Sequence, residues 1–343
     1  MSRLFMTAAI AFAFAEGGTL ATDYTRERTM RVEIERTIEM ATTEFSMERD
    51  GEPVEGRGGR GGGATATKQH IVHVDDVLEH EDGAPKRVRR AFKSVGGSTT
   101  FEAGENSGST DLESPFEDLT LELSVDEDGD VAAEVVEGSE PDGEGALEGH
   151  RLTLALDAFL PDGEVGEGGS WELESDAVLA ALGLDLERAL FPRPQREEDG
   201  GGERGGRGRG RFGGGGSTSF LGQVEWEGKA TLEAATEEYE GVECHVIAIE
   251  LESSGDTPEP EGGGFGGGDD SEPPEIDSTY EIELEGRLLF SQKAGRPVRL
   301  EVEGTLSTER EMEMSRGGGT MVIYTKREGE FSQTVTVTED SKE

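Results

Sequence analysis

Apolar and polar residues alternate one by one over most of this chain, and a period of two is the mark of a strand with one dry and one wet face. From Tyr280 to Phe290, the residues Tyr280, Ile282, Leu284, Leu288 and Phe290 fall on one side, with Glu281, Glu283, Glu285 and Arg287 on the other. A turn at Lys293–Arg296 follows, and Val298, Leu300, Val302 and Leu306 then resume the pattern against Arg299, Glu301 and Glu303. Thr320–Thr325 and Phe331–Thr338 read as two further strands, so this stretch predicts a four-stranded antiparallel meander. Val224, Trp226, Ala230 and Leu232 open another strand. Val242–Leu251 is apolar on both faces, as a central strand covered twice would be.

The first half reads the same way. Met30, Val32, Ile34, Ile38 and Met40 alternate with polar residues, and the pattern shifts phase to Phe45 and Met47 before Asp50-Gly51. A phase shift inside one run implies a bulge or a bend. Further strands are expected at His70–Leu78, Arg87–Val95, Leu119–Val125, Val131–Val136 and Leu152–Leu156. The single convincing helix is Asp176–Phe191, capped by Ser175 or Asp176, striped with Val178, Leu179, Leu182, Leu186 and Leu190, and halted by Pro192. Gly183 is a point at which it could divide. One helix cannot supply the crossovers of parallel strands, so the sheet must be antiparallel. The expected fold is mainly β: curved antiparallel sheet, as an open half-barrel or a sandwich, with one amphipathic helix and Gly-rich loops.

Four segments interrupt the alternation: Glu55–Thr67, Glu197–Ser217 with its Arg-Gly repeats, Ser253–Pro274, and a short glycine turn at Arg316–Gly319. The three longer ones lack apolar anchors and read as flexible loops. They divide the chain into a first β-rich part over 22–196, containing the helix 176–191, a Gly/Arg-rich linker over 197–217, and a second β-rich part over 218–340 with a Gly/Pro-rich loop at 253–274.

Residues 1–21 have the form of an export signal. Arg3 supplies the positive end, Leu4–Ala15 the apolar run, and small residues set a cleavage point after Ala15 or after Ala21. Twelve such residues span only about 18 Å as a helix, against a bilayer core of about 30 Å. An uncleaved anchor is the alternative. No later stretch is long and apolar enough to cross a membrane as a helix, so the expected location is the periplasm or the exterior.

Seventy-six acidic against thirty-two basic residues give a formal charge of −44. That surface repels nucleic acid and anionic headgroups, and it suits a saline setting. The lone cysteine, Cys244, excludes an internal disulfide and reads as a buried thiol. Asp126–Glu137 matches a calcium loop at some positions, but Val131 stands where glycine is needed and strands flank it. Asp128-Gly129 is better read as a hairpin turn. The Arg-Gly runs resemble RNA-binding segments, yet only Phe212 and Phe265 offer stacking rings beside them.

Of the histidines, His70 and His73 have opposite parity on one strand, whereas His73 and Asp75 share a face. Cys244 and His245 point to opposite faces. No His-x-x-x-His pair, nucleophile elbow or phosphate loop is present. No residue is therefore nominated as catalytic, cofactor-binding or metal-ligating, and no cofactor is implied.

Two stretches, Val165-Gly166-Glu167-Gly168-Gly169-Ser170-Trp171-Glu172 and Gly286–Val298, resemble segments of exported bacterial β-proteins. The alternating strands are also similar to those of the lipoprotein-carrier class, in which a curved antiparallel sheet and a helical lid enclose an apolar cavity. The resemblance covers about a third of the chain. This sequence departs from that class in offering one helix instead of several and in its long Gly-rich loops, so no site residue is carried over. Two functional readings follow. One is a non-catalytic envelope or extracellular protein acting through its surface and a protein partner. The other is a carrier of a lipid or other apolar ligand, which needs a cavity on the order of several hundred Å3.

Overall fold

The alternation becomes a single large sheet. A computed structural model describes residues 18–25, 29–54, 62–126, 130–142, 145–192, 220–258, 274–316 and 319–340. Most of the expected leader, the 197–217 linker and most of the 253–274 loop lie outside these residues, as does the 127–129 turn. The strands are β1 (Gly18–Thr19), β2 (Thr29–Arg49), β3 (Glu52–Pro53), β4 (Ala64–Glu81), β5 (Ala84–Ala103), β6 (Asn106–Glu113), β7 (Thr120–Val125) and β8 (Val131–Glu137). They continue as β9 (Glu164–Val165), β10 (Ser170–Leu173), β11 (Glu227–Tyr239), β12 (Val242–Asp256), β13 (Glu275–Ser291), β14 (Arg296–Arg316) and β15 (Gly319–Glu339).

Thirteen strands form one antiparallel sheet in the order β10-β11-β12-β13-β14-β15-β2-β4-β5-β7-β8, with β3 beside β2 and β6 beside β5. The order ends at β10 and β8, so the sheet is open and not closed into a barrel. The β15–β2 ladder joins the two halves of the sequence, pairing Glu339 with Met30 at one end and Met321 with Arg49 at the other. The expected phase shift in β2 is a bulge: Lys326 faces Glu44 and Arg327 faces Thr42, leaving Thr43 over.

Four local expectations are corrected. Thr320–Thr325 and Phe331–Thr338 belong to one strand of 21 residues. Gly329, which separates them, is not a turn: a Cβ there would lie 1.9 Å from the carbonyl oxygen of Glu39. Glycine is needed because two backbones approach too closely for any side chain. Gly304 answers the same need, its Cβ falling 2.0 Å from the Glu283 carbonyl. Two expected loops are shorter than their composition implies, because Ala64–Thr67 opens β4 and Ser253–Asp256 ends β12, each held by ladder pairing with a neighbouring strand. Leu152–Leu156 is not a strand. It buries Leu152, Leu154 and Leu156 on the way into a 3-10 turn at Ala155–Phe159.

The helix divides at the glycine. α1 (Ser175–Leu182) ends where Gly183 adopts φ 63°, and one further turn, α2 (Glu187–Leu190), follows. The fourth correction concerns its cap. Ser175 does not cap the helix; its hydroxyl accepts the Trp226 N–H at 3.0 Å.

The main core lies on one face of the sheet, designated the inner face. There Val32, Ile38, Phe92, Ile247, Ile249, Leu300 and Phe331 meet a covering segment made of the 3-10 turn, α1 and the stretch Phe220–Trp226. The opposite, outer face carries acidic rows such as Glu281, Glu283 and Glu285 on β13 and Glu301, Glu303 and Glu309 on β14. It also holds a small second cluster of Cys244, Val246, Leu289 and Val298, so β12 is covered on both faces as its composition implies.

Candidate functional site

Two buried polar clusters fix the covering segment to the inner face. Arg36 stands at an inward position of β2, where its neighbours two residues away are Ile34 and Ile38, and it is only 3% exposed. Its cross-strand partners are Gln333 on β15 and Gln69 on β4. Nε donates to Gln333 at 2.7 Å, and Nη1 donates to Gln69 at 3.1 Å and to Glu187 at 3.4 Å. Nη2 donates to the Leu182 carbonyl, the last of α1, which also accepts from Gln333 Nε2 at 3.2 Å. Burial pulls the guanidinium below the ordinary arginine range, and the nearby Glu187 and Asp185 oppose that shift. The arginine thus ties the negative end of α1 to three strands at once.

The second cluster centres on Asp75 and Arg90, cross-strand partners on β4 and β5. Arg90 donates to both carboxylate oxygens, at 2.8 and 2.7 Å, and to the Arg151 carbonyl at 3.2 Å. Burial alone would raise Asp75, but the Arg90 charge holds it below the usual carboxylate range. His73 does share the Asp75 face, with Nε2 at 3.7 Å from the carboxylate, while Arg90 takes the hydrogen bonds. Burial lowers His73 to about 4 and His150 to about 3. His150 packs on Phe116 and Phe92, and among the described residues neither of its ring nitrogens has a hydrogen-bond partner. Close by, Tyr24 and Thr22 both donate to Asp157, whose carboxyl is pushed up to about 6 by burial. These bonds hold the 18–25 segment onto the 3-10 turn.

The cavity between these clusters, lined by His73, Asp75 and Arg90 together with Leu154 and Ala181, measures about 50 Å3. That is room for water but not for an acyl chain, which needs on the order of several hundred Å3. The covering segment packs directly on the inner face around this cavity.

Beyond the covering segment the inner face continues with no further covering layer among the described residues. Residues Ile276, Met312, Ile323 and Met47 stand directly opposite one another across β13, β14, β15 and β2. Met314 and Met321 flank this row on one side, and Phe45, facing Thr325, flanks it on the other. Ile276 is 41% exposed and the other six are partly exposed. Phe45 and Met47 are visible in the alternation of β2. Ile276, Met312 and Met314 are not, because acidic residues surround them and mask the strand ends.

On the outer face His70 lies 3.0 Å from Glu33, as the opposite parity of His70 and His73 requires. Glu33, Glu35 and His70 bring one ligand atom each within 4.8 Å of one another. Only cross-strand pairing reveals this exposed group, and nothing else at it points to an ion. Among the described residues, no helix is long and apolar enough to cross a membrane.

No protein-family model and no curated protein matches the chain. Among solved structures it is similar to lipovitellin, described for its lipid–protein interactions, with a TM-score of 0.34 and 5% identity over 93% of this chain and 26% of that one. The chain therefore spans about a quarter of the lipovitellin chain. It is also similar to the outer membrane protein OprG from Pseudomonas aeruginosa, with a TM-score of 0.21 and 7% identity over 92% of this chain and 98% of that one. Likenesses this distant say nothing about what the chain binds.

Proposed function

We propose that this is an exported, non-enzymatic binding protein that holds an apolar partner on the uncovered end of its inner sheet face. The observation that carries the reading is the row Ile276–Met312–Ile323–Met47 with its flanking Met314, Met321 and Phe45. A contiguous apolar patch left in water is unfavourable, and methionine-rich patches adapt to varied apolar surfaces. Export rests on the leader-like residues 1–21, and the same reading puts the protein in the periplasm or outside the cell. The division into β-rich parts at 22–196 and 218–340 belongs to it as well.

The test uses the intact protein and the neutral probe N-phenyl-1-naphthylamine, since an anionic dye would be repelled by the −44 charge. Saturable fluorescence enhancement is expected, with at least a tenfold loss of affinity in Met312→Glu and Ile323→Glu. Native mass spectrometry of protein from its own source should then show an apolar adduct. Enhancement that is absent in the intact protein, or unchanged in both variants, would refute the reading.

A further inference from the structure

Beside the apolar row, the inner face carries a group of hydrogen-bond donors. Arg310 on β14 stands opposite Thr325 on β15, and Thr308 stands opposite Arg327. All four side chains belong to the inner face, because Leu306 and Phe331 lie in the same alternation of these strands and are buried in the core. They form a square with the arginines on one diagonal and the threonines on the other, the two arginines roughly 7–8 Å apart. Along the strands the square lies between the covered core and the apolar row. Met312 is the next inward residue after Arg310, and Ile323 is the next beyond Thr325.

Two cations held side by side repel each other unless an anion joins them. Acids outnumber bases in this chain by 76 to 32, and nine other arginines are paired with carboxylates. Arg310 and Arg327 form no such pair among the described residues. Their cross-strand partners Ser278, Thr325, Thr308 and Thr42 are uncharged. Glu309 and Glu328, the acids next to them in sequence, are on the outer face, where Lys326 meets both. Arg310 is exposed, whereas Arg327 is half-buried and donates from Nη2 to the Thr65 hydroxyl at 2.8 Å. Burial pulls the Arg327 guanidinium below the ordinary arginine range and, unlike at Arg36, no carboxylate among the described residues opposes that shift.

We propose that this square binds the headgroup of an anionic amphiphile, a carboxylate or a phosphate monoester, whose apolar tail lies along the row Ile276–Met312–Ile323–Met47. The inference rests on the apolar-partner reading above and names the chemistry of that partner. Guanidinium forks suit carboxylate and phosphate oxygens, and the two threonine hydroxyls add further donors. The apolar row begins one inward position from Arg310, about 7 Å along the strand, and extends about 14 Å across four strands. A neutral hydrocarbon would leave the arginines unpaired, and a small anion would leave the apolar row in water. The charge of −44 slows the approach of an anion, but physiological salt screens it over about 8 Å, while the guanidiniums act at contact.

The experiment uses the intact protein at physiological salt and measures displacement of bound N-phenyl-1-naphthylamine by three monomeric twelve-carbon amphiphiles: dodecanoate, dodecyl phosphate and the uncharged dodecyl maltoside. Two variants are compared with the parent, Arg310→Gln at the exposed position and the double variant Arg310→Gln/Arg327→Gln. The anions are expected to displace the dye better than the maltoside. They should lose at least threefold in affinity in the single variant and at least tenfold in the double one, with the maltoside within twofold of the parent in both. Displacement by only one of the two anions keeps the proposal and identifies the headgroup as carboxylate or phosphate. Equal losses for charged and uncharged probes would overturn it, since the arginines would then be shaping the face and not recognising a headgroup. Anion affinities unchanged in both variants would also overturn it. So would anion binding that appears only in Asp269→Asn/Asp270→Asn/Glu272→Gln, which would make the chain's own acidic segment the partner of the arginines. Dye that binds the parent but is displaced no better by the anions than by the maltoside defeats the headgroup inference alone. Absence of dye binding defeats the apolar-partner reading and this inference with it.

Discussion

Replacing Arg36 with alanine is expected to destabilise the protein by about 3–5 kcal/mol, the range for removing one partner from a buried charged network. The guanidinium makes four donor contacts, to Gln333, Gln69, Glu187 and the Leu182 carbonyl. Alanine leaves the side-chain oxygens of Gln333 and Gln69 without that donor, and each buried acceptor so stranded costs about 1–3 kcal/mol. Two effects soften the loss. The Leu182 carbonyl keeps the Gln333 Nε2 donor, and the Glu187 side chain, 14% exposed, can turn toward water. The lower half of the range is therefore the closer figure. Lysine at the same position should recover only part of it, because a point charge cannot reach acceptors on two neighbouring strands and a helix end. Urea unfolding followed by circular dichroism gives the magnitude, at constant slope. Amide exchange supplies a second readout, since Arg36 ties α1 to the sheet and residues 175–190 should open before the β15–β2 ladder. A loss under about 1 kcal/mol, or no added exchange in α1, would refute the account of Arg36 as the anchor.

Three further outcomes follow from other parts of the structure. His150 and His73 are neutral in the fold, at about 3 and 4, while the unfolded chain protonates near 6.5, so both remove stability as pH falls from 6.5 toward 4. Asp157, raised to about 6, acts in the opposite sense and removes stability as pH rises from about 4 to 6. His150→Phe should flatten the pH dependence of the urea midpoint relative to the parent, and Asp157→Asn should steepen the loss on acidification; unchanged profiles would contradict the burial argument. Gly329→Ala forces a Cβ to within 1.9 Å of the Glu39 carbonyl and should cost about 1–3 kcal/mol in thermal unfolding, whereas Gly241→Ala, with nothing within 4 Å, should suffer only from its positive φ. On the outer face Glu252 stands opposite Glu227 and Glu283, and Glu285 opposite Glu250 and Glu303, so Glu252→Gln/Glu283→Gln/Glu285→Gln/Glu303→Gln should be more stable than the parent by about 1 kcal/mol at low salt, and the gain should fade at high salt.

What the sequence determined by itself is the class of fold. A period of two, repeated in both halves with a single helical stripe, leaves an antiparallel sheet as the way to bury these apolar residues. The same reading located the β2 bulge through the shift from Met40 to Phe45, and the helix break at Gly183. Alternation is a local property, so a local reading suffices for it.

Tertiary structure decided everything that depends on which strand lies beside which. Arg36 reads as an ordinary charged residue until Gln333 and Gln69 are placed beside it, and the need for glycine at 329 shows only when the Glu39 backbone is seen against it. The apolar row and the glutamate rows run perpendicular to the chain. Their members, such as Met47 and Ile323 or Glu39 and Glu330, are separated by hundreds of residues and joined only by register. Register is set by the packing of whole strands against a common core, and no single strand's sequence contains it.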